Sequence, residues 1–140
     1  MIVAELTEMK IYRQQKFHSL TYVVKIDSGN AYKQEAKIMT QSCNFMDWLE
    51  TNDRKEHLVD FLGSTILKEL TQLHQMWIDD YNKIYSHFYK DSFIAGLFSK
   101  SNKRNEQDKI EAYFNDLSQT NTRCDDKMDM ITRRLKECLV

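Results

Sequence analysis

The chain has 140 residues, 41% of them hydrophobic and 29% charged, with a formal net charge of −1. That length supports one domain with a modest core. The near-zero balance argues against general binding to phosphate backbones, which needs an excess of Lys and Arg. Proline is absent and glycine occurs three times, so long regular elements should dominate over loops.

Cys43, Cys124 and Cys138 form no CxxC pair, and three reduced thiols suit a cytoplasmic protein. Met1-Ile2-Val3-Ala4-Glu5 lacks the basic and apolar regions of a secretory signal. No window holds 18 unbroken apolar residues, so no membrane span is expected. Cys138-Leu139-Val140 is one residue short of a prenylation box.

In chain order, residues 1–16 fit two patterns. Ile2, Ala4 and Leu6 alternate as in a strand, while Ile2, Leu6 and Met9 also share one face of a helix. The strand is preferred, because Ile11-Tyr12 continues the run. From Phe17 to Ile26, Leu20, Tyr22, Val24 and Ile26 alternate with Thr21, Val23 and Lys25 in a β-branched, aromatic segment. Asp27-Ser28-Gly29-Asn30 reads as a turn. Tyr32, Gln34, Ala36 and Ile38 then alternate as a return strand.

Ser42 to Glu50 reads as a short helix carrying Phe45, Met46, Trp48 and Leu49. The longest helical signal follows, from Asp53 to Asp91. Leu58, Leu62, Ile66, Leu70, Leu73, Trp77, Tyr81, Ile84 and Phe88 recur at steps of three or four. Val59, Leu67, Ile78, Tyr85 and Tyr89 widen the stripe, so neighbours are needed on more than one side. Asp53 and Glu56 fit a capping box, and Gly63-Ser64 marks an expected kink or close crossing.

Between Asp91 and Arg104, Phe93, Ile94, Leu97 and Phe98 flank Gly96 ahead of Lys100, Lys103 and Arg104. The simpler reading folds these apolar residues under a helical hairpin. The sharper one makes them an exposed tip for a partner or an anionic membrane. Asn105 is the expected N-cap of the last helix, with Glu106 and Asp108 near its positive end. Ile110, Phe114, Leu117, Asn121, Cys124, Met128, Ile131, Leu135 and Cys138 alternate steps of four and three. They form a heptad with Phe114, Asn121, Met128 and Leu135 at a. A buried Asn at a fixes register and strand number. The seam points to a coiled-coil homodimer, or to an ordinary helix packed antiparallel on the longer one.

Site chemistry is sparse. His74 and His87 lie 13 residues apart, almost 20 Å along a helix, so they cannot share a metal within one chain. His87 and Asp91 stand at i and i+4, where a solvated pair is the simpler reading. Asp79-Asp80 and Asp125-Asp126 are sequence neighbours whose side chains diverge by about 100°, which rules out a shared-proton dyad. No Gly-rich phosphate loop or nucleophile motif occurs. No cofactor and no metal are expected.

Arg13-Gln14-Gln15-Lys16-Phe17-His18 resembles the Arg-x4-His spacing of HEPN-type ribonucleases, small helical proteins that dimerise to build their active site. The resemblance covers six residues and implies metal-independent RNA cleavage by Arg13 and His18. In that family the motif opens a late helix; here it stands in the first fifth of the chain.

The expected architecture is therefore α+β. A small N-terminal antiparallel sheet of two or three strands leads to one short helix, then two long antiparallel helices form a hairpin. The expected function is a non-enzymatic protein–protein interaction module, a homodimer or an adaptor. It would act through Phe114, Asn121, Met128 and Leu135, with Phe93, Ile94, Leu97 and Phe98 as a second surface. The alternatives are the ribonuclease and a peripheral membrane factor using Phe93–Phe98.

Overall fold

A computed structural model describes residues 2–25, 33–38, 45–51, 55–89 and 100–138. These residues form helices α1 (Ile2–Lys25), α2 (Lys33–Ala36), α3 (Phe45–Glu50), α4 (Lys55–Leu62), α5 (Ser64–Tyr89) and α6 (Lys100–Cys138). No strand occurs among the described residues. The fold is all-α, and the expected N-terminal sheet is corrected.

The correction rests on α1. Its buried residues are Leu6, Met9, Arg13, Leu20 and Val23, a spacing of three, four, seven and three that belongs to a helix. An arginine at the centre of this stripe hides the period from a count of apolar residues. The β-branched and hydroxyl residues are accommodated by back-bonding. Thr7 Oγ1 donates to Val3 O at 2.8 Å, Ser19 Oγ to Gln15 O at 3.1 Å, and Thr21 Oγ1 to Phe17 O at 2.8 Å. Tertiary packing of one face then outweighs the β-propensity of residues 20–24. The segment expected to be a return strand contributes the turn α2, which meets α1 where Lys16 Nζ donates to Glu35 O at 2.6 Å. The expected turn at 27–30 lies outside the described residues.

The long helix expected over 53–91 is two helices. Gly63 has φ 88°, and its N–H donates to Val59 O at 2.9 Å, closing the last turn of α4. A Cβ at Gly63 would meet nothing within 4 Å, so the left-handed backbone and not crowding is what favours glycine. The break ends α4 at Leu62, and α5 begins at Ser64. Asp53 lies outside the described residues. Asn105 is inside α6, which begins at Lys100, so it is not the N-cap.

Apart from a small cluster of Val23 and Ala36, two large apolar clusters stack along the bundle. One joins Leu6, Met9, Phe45, Leu49, Leu58, Leu62, Leu67, Leu70, Met128 and Ile131. The other joins Leu20, Ile38, Trp77, Ile78, Tyr81, Ile84, Phe114, Leu117 and Cys124. The start of α1 and the start of α5 thus meet the end of α6, so both run antiparallel to it. Surface pairs keep this register: Lys10 Nζ lies 2.5 Å from Asp129 Oδ1, and Lys127 pairs with Glu69.

Candidate functional site

A polar layer separates the two large apolar clusters. There Arg13 from the middle of α1 pairs with Asp125 of α6 and its charge acts on His74 of α5 and on Cys124, while Asn121 of α6 accepts from Trp77 of α5. Arg13 is wholly buried. Its Nη2 donates to Asp125 Oδ1 and lies 3.9 Å from Met128 Sδ, while Nε and Nη1 have no hydrogen-bond partner among the described residues. Nε and Nη1 point in different directions around the planar guanidinium, so one bidentate anion could not satisfy both.

His74 is buried and Nδ1 lies 3.0 Å from Leu70 O. A carbonyl only accepts, so Nδ1 carries the proton and Nε2 is bare. The Phe45 ring stacks on the imidazole at 5.5 Å and 24°. Burial first, then the Arg13 charge, lower the His74 pKa from 6.5 to about 4, against the opposing bond to Leu70. Burial likewise pushes the Cys124 thiol up to about 11, with Arg13 opposing. A neutral imidazole and a protonated thiol make no nucleophile pair at neutral pH.

Acidification has a definite sign. The unfolded chain takes up the His74 proton near pH 6.5 and the folded chain only near 4. Stability is therefore full above pH 6.5, falls between 6.5 and 4, and levels off below. At about 1.36 kcal/mol for each unit separating the two states, the expected loss is about 3 kcal/mol. Urea titrations between pH 7.5 and 4 check this, and His74→Gln should flatten that window. A wild-type curve already flat there would place the imidazole in water.

The seam residues of α6 are committed within the chain. Asn121 Oδ1 accepts from Trp77 Nε1 at 3.1 Å. Phe114 stacks on Phe17 at 5.6 Å and 12°, with Lys25 Nζ 5.5 Å from its ring centroid. Met128 is buried in the first cluster and Leu135 packs against its edge. Phe93, Ile94, Leu97 and Phe98 lie outside the described residues. Arg13 and His18 are not brought together: Arg13 faces the core and His18 is exposed. Among the described residues no three His, Cys, Asp or Glu side chains gather where a metal could sit.

The second feature is a groove of about 440 Å³ where α3, α4 and α5 meet. Met46, Leu49, Val59 and Leu67 supply its apolar surface, and Ser64, Thr65, Thr71 and Gln72 its polar side. Met46 is 52% exposed. Both acids on the groove are already neutralised: Glu50 Oε1 lies 2.7 Å from Lys55 Nζ, and Glu69 pairs with Lys127. Lys68, also on the groove, makes no ion pair among the described residues.

Sequence reasoning missed Arg13 as a core residue, and with it the polar layer. The available signal was the helical spacing of Leu6, Met9, Arg13, Leu20 and Val23, once a charged residue is allowed in a stripe. The groove had no linear signal, being assembled from three helices. No helix of the described residues is long and apolar enough to cross a membrane. No family model matches the chain, and neither the curated proteins nor the solved structures give a match.

Proposed function

We propose that this chain is a non-enzymatic interaction module that binds another protein through the groove between α3, α4 and α5. The observation that carries the reading is a contrast between two apolar surfaces. The α6 seam, with Phe114, Asn121 and Met128, is filled by α1 and α5 of the same chain. Met46, which is exposed, and half-buried Val59 instead line an open groove whose floor is formed by the core residues Leu49 and Leu67. Methionine at its edge suits adaptable contacts, since the thioether is flexible and polarisable.

The buried polar groups support a structural role over a catalytic one. Arg13 is spent on Asp125, His74 is held neutral, and Asn121 holds the Trp77 indole. The ribonuclease reading would need Arg13 and His18 on one accessible surface, and they face opposite ways. Self-association through α6 would require its core face to leave α1 and α5.

Panning a displayed peptide library against the folded protein tests the proposal. Enriched peptides should shift the methyl resonances of Met46, Val59 and Leu67, and Met46→Asp should abolish their binding while leaving the fold intact. Enriched peptides that shift only residues remote from the groove, or no enrichment at all, would overturn it.

A further inference from the structure

We infer that the groove selects partner segments that are both helical and acidic, an inference that rests on the protein-binding reading above. The helical part follows from the walls. All described walls are helices, so among the described residues no strand edge is available to pair an extended peptide. A helical segment satisfies its own N–H and C=O groups and needs no strand edge from such walls. The α5 wall runs from Ser64 to Gln72, about 12 Å at 1.5 Å per residue, which matches two to three helical turns.

The acidic part follows from charge. Glu50 and Glu69 are compensated by Lys55 and Lys127, which leaves Lys68 as the charge on the groove with no ion-pair partner among the described residues. The first turn of α5, opening beside it, carries no acidic side chain to repel a carboxylate. The formal charge of the whole chain is −1, so any preference for an acidic segment must be local. The occupant is thus an amphipathic helix of another protein. Apolar residues at i, i+3 or i+4 cover Met46, Leu49, Val59 and Leu67, and Asp or Glu on its flank reaches Lys68.

Two synthetic peptides decide the matter. Both carry leucines at the same helical spacing over about three turns, one with glutamates on its polar face and its twin with lysines. At low salt the acidic peptide should bind about tenfold tighter, and the margin should shrink as salt rises. Lys68→Glu should erase or invert the preference, and Lys68→Gln should reduce it; far-ultraviolet circular dichroism checks that each variant is folded. Equal binding by both twins at the groove would overturn the acidic selectivity while leaving the protein-binding reading in place. A basic twin that wins, a Lys68→Glu variant with unchanged preference, or no binding by either peptide would overturn the inference. Failure of the library panning as well would remove the reading beneath it.

Discussion

Trp77→Ala is expected to remove about 3–5 kcal/mol of stability, the range for truncating a fully buried aromatic. The indole is wholly buried among Leu20, Tyr81, Phe114 and Leu117 of the second cluster. Its ring lies 4.9 Å from that of Tyr81 at 30°. Tyr81 in turn ties three helices, its hydroxyl lying between Lys16 O at 3.0 Å and Ala36 O with one proton to share. A cavity beside Tyr81 therefore loosens α1 and α2 as well as α6. Alanine also strips the donor from Asn121 Oδ1, which is 3.1 Å from Trp77 Nε1. A buried acceptor without a partner costs about 1–3 kcal/mol. Trp77→Phe separates the two effects, keeping most apolar area and losing only the donor, so its loss should be the smaller. Urea denaturation at neutral pH measures both. A loss under about 1 kcal/mol for Trp77→Ala would show an indole in contact with water.

Much of α5 and α6 was legible because their apolar residues recur at helical steps with few exceptions. Leu67, Leu70, Trp77, Ile78, Tyr81 and Ile84 are buried as that pattern requires. The break at Gly63 was marked by the one residue type that takes φ 88° without strain. The first helix was not legible. Arg13 occupies a core position, and Leu20, Tyr22 and Val24 happen to alternate, so a period of two competed with a helical period weakened at its centre. A heptad shows that a helix wants a partner; it does not say whose chain supplies it. The Asn121 amide could serve a second copy or the Trp77 indole equally well, and only the fold shows the bond to Trp77. The groove depends on how α3, α4 and α5 come together, which no run of residues encodes alone.

The other large effect is expected at the Arg13–Asp125 pair. Asp125→Ala should cost about 3–5 kcal/mol, because it strands a buried guanidinium of which two nitrogens already lack partners among the described residues. Arg13→Met should behave in the opposite way. The methionine keeps much of the stem's volume, removes the desolvated charge, and lies beside Met128 and the first apolar cluster, so stability should change by less than about 1 kcal/mol or rise. Asp125 retains 23% side-chain exposure, which lets water solvate it once Arg13 is gone. The double variant should then be far more stable than Asp125→Ala alone, the non-additivity expected of residues in one ion pair.

In this fold α1 is a helix that fills the α6 seam from within the same chain, with Arg13 at the joint. The coupling free energy from this double-mutant cycle, measured by urea denaturation over a hundredfold range of protein concentration, tests that most directly. It should exceed about 1.5 kcal/mol and not vary with concentration, because both partners belong to one chain. Additive effects would contradict the burial of Arg13 against Asp125, and a coupling that grows with concentration would assign the joint to two chains.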